Sequence, residues 1–209
     1  MKEKQIIAID FDGALLKSRP FDEAHKRWFY LMSILLKDNS INKYSSLKDY
    51  FPKVHEVMKK YLGNVDNQTR VIFARNLYSM VTIAEVKKED LVLDFAQYLR
   101  TIKNKYKLAL ITTAPESSVE PILKKIDCLE IFDVIYKSPV NKQPNKKELF
   151  EEFIKKYEKP IFYIGKGDKD ITTCKDLGIK SISVSWISKG QLKGDYDINT
   201  VKELKDIIL

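Results

Sequence analysis

Cysteine is scarce in this chain, with only Cys128 and Cys174 among 209 residues. Two thiols cannot form a disulfide framework, and these lack the companion spacing of a zinc site, so both read as small buried hydrophobes. Glycine and proline number 7 each, which excludes a collagen-like repeat and argues against extensive disorder. Long apolar runs are also missing. Ile6-Ile7-Ala8-Ile9 is too short to span a bilayer and carries no small-residue cleavage site, so it reads as a buried strand; the expectation is a cytoplasmic protein without membrane contact. Charge is plentiful, at 32% of residues and a net +8, yet there is no polybasic block and no RNA-binding aromatic motif. The scattered lysines therefore describe a solvated surface; nucleic acid is not favoured, and a small phosphorylated molecule is the expected anionic partner. The length permits one domain or two of modest size. No pattern in the sequence specifies an oligomeric state.

What the chain does have is Asp10-Phe11-Asp12-Gly13, immediately after the Ile6–Ile9 run. In an extended chain, side chains at i and i+2 share a face roughly 6.5 to 7 Å apart, so the two carboxylates can act separately or share a ligand. Ionised carboxylates at a sheet end are costly unless a cation or hydrogen bonds compensate, and such pairs therefore mark metal or catalytic sites. A solvated strand-to-turn junction is the simpler alternative, since Asp and Gly are also ordinary turn residues.

Downstream, residues 20–88 show helical spacing without a strand pattern. Phe21, Ala24, Trp28, Leu31 and Leu35 line one helix through about Leu36. A second runs from about Ser46, with Leu47, Tyr50, Val54, Val57, Met58 and Tyr61 on its apolar side, and a third from about Asn67 to Val86. From about Glu89 buried strands alternate with helices. A helix through Leu91, Phe95, Leu99 and Ile102 precedes a strand from Lys107 to Thr112; Ile131–Tyr136 is a short strand, and Asn145 with Glu148 opens a capped helix. A strand at Pro160–Ile164, a helix from about Asp170 to Gly178, a strand at Ile179–Val184 and a closing helix at Val201–Leu209 follow. The alternation predicts an α/β fold with a doubly wound parallel sheet. The expected domains are a core of residues 1–19 and 89–209 and a helical insertion of residues 20–88, joined by linkers near Leu15–Pro20 and Val86–Asp90.

In an open parallel sheet, ligands bind beyond the carboxyl ends of the strands. The polar clusters fall there: Asp10 and Asp12 after strand one, Thr112 and Thr113 after strand two, Lys142, Gln143 and Lys146 after strand three, and Gly165-Lys166-Gly167-Asp168-Lys169-Asp170 after strand four. Asp10-Phe11-Asp12-Gly13-Ala14 resembles the Asp-x-Asp-Gly-Thr motif of the haloacid dehalogenase superfamily, and Leu108-Ala-Leu-Ile-Thr112 resembles its second motif. Residues 20–88 then fit the family's C1-type cap. The resemblance implies a phosphohydrolase acting on a small phosphorylated metabolite. Asp10 would be the nucleophile that forms an aspartyl-phosphate, Asp12 the acid and base, Thr112 a phosphoryl hydrogen-bond donor and Lys142 the charge-neutralising lysine. Gly13, Thr113 and Lys146 would contact substrate, and Mg2+ would be held by Asp10, Asp12, Asp168 and Asp170.

The sequence departs from the family motifs at three places. Ala14 stands where threonine is usual, and Gln143 stands where the lysine of Lys-Pro-x is expected, which leaves Lys142 or Lys146 to reach in; Lys142 is favoured. Lys166 replaces the first aspartate of Gly-Asp-x-x-x-Asp, and an ammonium cannot ligate a metal. Either Asp168 substitutes for it with Lys166 turned away, or Mg2+ binding is weakened and Lys166 pairs with Asp10 or a phosphate. The alternative functions are a catalytically weakened or non-catalytic phospholigand-binding regulator, and a phosphomutase.

Overall fold

Residues 3–46, 51–186 and 193–208 are described by the structure, a computed structural model. The first strand, β1 (Ile6–Ile9), is buried at every position, as expected of a central strand whose two faces are both covered. Five further strands, β2 (Lys107–Pro115), β3 (Val134–Ser138), β4 (Phe162–Gly165), β5 (Lys180–Val184) and β6 (Tyr196–Ile198), complete a parallel sheet in the order β3-β2-β1-β4-β5-β6. Ala8 pairs with Ala109 of β2 on one side and with Tyr163 of β4 on the other. The strand order reverses between β1 and β4, which opens a crevice at the carboxyl end of β1.

The two-residue alternation of the strands divides the interior. Ile7 and Ile9 face helices α4 (Leu93–Ile102), α5 (Glu116–Lys125) and α8 (Val201–Ile207) through Phe95, Leu99, Ile122 and Leu204. Ile6 and Ala8 face α6 (Lys146–Lys156) and α7 (Asp168–Leu177) through Leu149, Phe150, Phe153 and Cys174. Cys128 and Cys174 are both buried free thiols.

Between β1 and β2 lie α1 (Arg19–Leu35), α2 (Phe51–Tyr61) and α3 (Asn67–Glu85), with Trp28, Phe29, Met32, Val57, Met58 and Ala74 forming a separate apolar cluster. Trp28 Nε1 donates to the Ala74 carbonyl at 3.1 Å, tying α1 to α3. The segments entering and leaving this helical insertion run side by side. Val92 N donates to Leu15 O (3.0 Å), Lys17 N to Asp90 O (2.8 Å), and the Arg19 guanidinium grips both oxygens of the buried Asp90 carboxylate at 2.8 and 2.6 Å.

Several elements differ from the sequence reading. The third strand is shifted from Ile131–Tyr136 to Val134–Ser138, because Leu129–Ile131 forms a 3-10 turn and pairing with β2 begins at Asp133, whose carboxylate and amide hold the two backbone groups of Leu108. Helix α5 has no counterpart in the sequence reading, and it carries Pro121 in its interior. Strand β6 has three residues, two of them exposed, too short for alternation to register. Helix α7 starts at Asp168 and ends, as expected, at Gly178 in the left-handed conformation. The proposed helical start over Leu47–Tyr50 and the final Leu209 lie outside the described residues. Among those residues no helix is long and apolar enough to cross a membrane.

Candidate active site

Asp10 leaves β1 with its amide still donating to the Ile164 carbonyl of β4 (2.9 Å), so the sheet fixes its backbone. Beyond it the chain turns sharply. Gly13 has φ +78° and its amide bonds to Leu16 O (2.8 Å); a Cβ there would meet Lys166 Cδ and Cε at 2.6 Å, so both the turn and the stem of Lys166 require glycine. Asp10 and Asp12 open on a cleft of about 280 Å3 also lined by Thr112, Thr113, Lys166, Gly167 and, from α3 of the insertion, Arg75 and Tyr78.

Lys146, the first residue of α6, supplies the lysine that reaches Asp10. Asn145 caps the helix by accepting from the amides of Lys147 (3.1 Å) and Glu148 (3.3 Å), and this start aims Lys146 across the end of β2. Its ammonium lies 2.8 Å from Asp10 Oδ1, 3.2 Å from Asp170 Oδ2 and 2.9 Å from the Ile111 carbonyl, with the Tyr163 ring centroid at 5.1 Å. Lys142, the favoured lysine of the sequence reading, is not in the cleft. It precedes the helix, is exposed, and sits 3.6 Å from Glu152. The cap at Asn145 marks the start of α6 in the sequence, but which lysine reaches Asp10 depends on how that first turn packs against the end of β2.

Burial raises the Asp10 carboxyl to about 7, with Lys146 opposing the shift and Asp170 and Asp12 adding to it. Burial pulls Lys146 down, but Asp10 and Asp170 together outweigh that and bring it to about 12, so the ammonium stays charged. Asp12 is raised by burial, opposed by the Ser18 hydroxyl and by Lys166. Thr112 is buried, and its Oγ1 accepts from the Ala114 amide at 3.1 Å, which leaves its O–H proton for a ligand in the cleft. Ser18, which carried no motif in the sequence, donates to Asp12 Oδ1 at 2.7 Å and accepts from Lys166 Nζ at 2.8 Å.

Of the four carboxylates expected to hold Mg2+, Asp10 and Asp12 share the cleft and Asp170 meets Asp10 at Lys146, whereas Asp168 stands apart. Asp170 turns inward to Lys146 and accepts from the Tyr163 hydroxyl. Asp168 lines a different groove, with Lys142, Lys147 and Lys169. Lys166 neither turns away from the cleft nor bonds to Asp10 in the contacts described; its stem rests on Gly13 and its ammonium reaches Asp12 through Ser18. Among the described residues no three Asp, Glu, His or Cys side chains converge as metal ligands. Mg2+ completes its shell with waters and phosphate oxygens around one or two carboxylates, and here Lys166 stands beside Asp12 while Lys146 occupies Asp10 and Asp170, cations that repel it. The side chains as arranged do not fit Mg2+.

Solved structures share this architecture over the whole chain. A haloacid dehalogenase-like family hydrolase from Streptococcus pneumoniae matches with TM-score 0.70 and 17% identity, covering 100% of both chains. A predicted phosphoglycolate phosphatase from Haemophilus somnus gives 0.68 at 17% identity, again over 100% of both. YfnB of Bacillus subtilis, solved bound to magnesium, gives 0.64 at 14% identity over 99% of each. At such identities the likeness is one of fold. No curated protein matches the sequence significantly. The model of the haloacid dehalogenase-like hydrolases matches residues 4–178, most of the sheet and the whole helical insertion, and the chain belongs to that family.

Proposed function

We propose that this protein is a phosphomonoester hydrolase working through an aspartyl-phosphate at Asp10. The observation that carries the reading is the Asp10 carboxylate, held at the crevice with Lys146 Nζ at 2.8 Å and a second carboxyl, Asp12, on the same cleft. An Asp10 oxygen attacks phosphorus as the ester P–O bond breaks, and Asp12, whose carboxyl is raised above its ordinary value, gives its proton to the departing alcohol oxygen. Water then attacks the phosphorus of the aspartyl-phosphate; Asp12 takes the water's proton and Asp10 leaves as carboxylate with release of phosphate. Lys146 and the Thr112 hydroxyl donate to the phosphoryl oxygens where negative charge accumulates. The Haemophilus relative's description as a predicted phosphoglycolate phosphatase agrees with a small ester substrate.

A second reading, phospholigand binding without turnover, is favoured by Lys166 at the place of an acidic residue. The Asp10→Asn variant separates the two. Hydrolysis requires that wild type release phosphate from a panel of small esters, that Asp10→Asn lose roughly a thousandfold or more at unchanged melting temperature, and that acid-quenched wild type carry phosphate on the Asp10 peptide. Equal rates for wild type and Asp10→Asn in phosphatase-free preparations refute it.

A further inference from the structure

The cations around the cleft are not equally satisfied. Lys146 has Asp10 and Asp170, and Lys166 reaches Asp12 through Ser18. Arg75, from α3, has neither kind of anchor. Its Nη2 makes only long bonds to the carbonyls of Thr113 (3.4 Å) and Ser138 (3.3 Å), at the carboxyl ends of β2 and β3, and its Nε is buried with no hydrogen-bond partner. No carboxylate forms an ion pair with it among the described residues. Burial draws its pKa down to about 10, only partly opposed by the more distant Glu116 and by Tyr78, so the guanidinium remains charged at neutral pH. A half-buried cation without a counter-ion is costly, and a guanidinium offers a planar fork suited to carboxylate or phosphate.

Its position says where the missing anion belongs. Arg75, Tyr78 and Pro144 line both the Asp10 cleft and a second, mostly apolar cavity of about 70 Å3 walled by Trp28, Phe29 and Met58. Asp12, the proposed acid for the leaving oxygen, lines the same cleft as Arg75 and Tyr78, which puts this junction within reach of the ester's alcohol portion. The transferred phosphoryl group already has Lys146 and Thr112 on the β1–β2 side, whereas Arg75 is tethered at the β2–β3 side and to the insertion. The adjoining cavity is small beside the roughly 150 Å3 that admits a benzene ring, which favours a compact alcohol portion.

We propose that Arg75 is the receptor for a second anionic group on the substrate, which makes the substrate class a small phosphomonoester whose alcohol carries a carboxylate or a second phosphate. This rests on the phosphomonoester reading above. Three matched pairs test it: 2-phosphoglycolate with ethyl phosphate, 3-phosphoglycerate with glycerol 3-phosphate, and 1,3-propanediol bisphosphate with propyl phosphate. The carboxylate pairs and the bisphosphate pair tell which anion is preferred. In at least one pair wild type favours the doubly anionic member by about tenfold or more in kcat/KM, the scale of a charged hydrogen bond. Arg75→Met removes that preference chiefly through KM, and Arg75→Lys restores part of it. Because the substitution deletes a half-buried charge that has no counter-ion, Arg75→Met also melts at or above the wild-type temperature, whereas a purely structural arginine predicts a fall.

Calorimetric titration of the same pairs into Asp10→Asn, with and without Arg75→Met, keeps the two readings apart. Selective binding that depends on Arg75 supports this proposal even if no ester is turned over. Turnover with no preference within any pair, or with both members weakened equally by Arg75→Met, overturns it and leaves the hydrolase reading standing.

Discussion

Replacing Lys146 by methionine keeps most of the side-chain volume and removes the ammonium from the centre of the site. In the folded protein that ammonium stands 2.8 Å from Asp10, 3.2 Å from Asp170 and 2.9 Å from the Ile111 carbonyl, and the lysine side chain is only 8% exposed. Its loss leaves two buried carboxyls and one carbonyl without their shared donor. Breaking a buried pair costs about 3–5 kcal/mol. Protonation of Asp10, already raised to about 7, and the surviving Tyr163 bond to Asp170 relieve part of this, so the lower end, about 3 kcal/mol, is expected. For a domain of this size that is a fall of roughly 6–12 °C in melting temperature. Turnover falls further than stability alone explains. A missing donor to developing phosphoryl charge is worth about 2.7–4 kcal/mol, or 100- to 1,000-fold in kcat. The control is Lys142→Met. Lys142 and Glu152 are 60% and 47% exposed and 3.6 Å apart, and removing such a pair changes stability by about 0.5 kcal/mol or less. Urea denaturation and steady-state kinetics on both variants decide the matter. If Lys146→Met unfolds within about 1 kcal/mol of wild type and keeps a tenth of its activity, or if Lys142→Met loses as much, the assignment of the lysine to Lys146 is wrong.

Three other outcomes follow from the geometry. Lys166→Asp exchanges a repelling cation for an oxygen ligand beside Asp10 and Asp12, and calorimetry should show Mg2+ affinity at least about tenfold higher than wild type; an unchanged affinity removes Lys166 as the cause of the misfit. Because burial raises Asp10 to about 7, the attacking carboxylate forms only as pH climbs towards that value, while the Asp12 proton needed by the leaving alcohol is lost as pH rises, so kcat/KM is bell-shaped once the ester's own ionisation near about 6 is allowed for; a corrected profile that keeps rising to about pH 9 contradicts this. At the base of the insertion, burial pushes Asp90 up, but Arg19 and the Lys87 amide outweigh it and hold the carboxyl low. Its contribution is therefore complete above the unfolded value near about 3.9 and is lost as pH falls through the lower folded value. Asp90→Ala should cost about 2 kcal/mol at pH 7, discounted for the partly exposed Arg19, and nothing in strong acid, as urea melts at the two pH values would show.

The elements that sequence alone determined are those whose local pattern is self-sufficient. Ile6-Ile7-Ala8-Ile9 can only be a strand buried on both faces, and an Asp at its end followed by Asp12 and Gly13 places two carboxylates at a turn. Asn145 and Glu148 announce the start of α6, and Gly178 the end of α7, because caps are read from the residues that satisfy the helix's own end groups. The parallel sheet and the helical insertion follow from the order in which such segments alternate. What tertiary structure decided is which side chains meet. Lys142 and Lys146 differ by four residues and by nothing in composition, yet only the second sits on the first turn of α6, where the crossover from β3 brings it against Ile111 and Asp10. Asp170 matches a metal-ligand motif by spacing but is claimed by Lys146 and Tyr163, and the stem of Lys166 fits only because Gly13, more than 150 positions away, leaves room for it. Arg75, one exposed-looking basic residue among many on a helical pattern, becomes a half-buried cation without a counter-ion only when α3 closes over the ends of β2 and β3. Local patterns specify elements through short-range hydrogen bonding and periodic burial, whereas charge partnership depends on distances between segments far apart in the chain, which only the packed sheet and its insertion set.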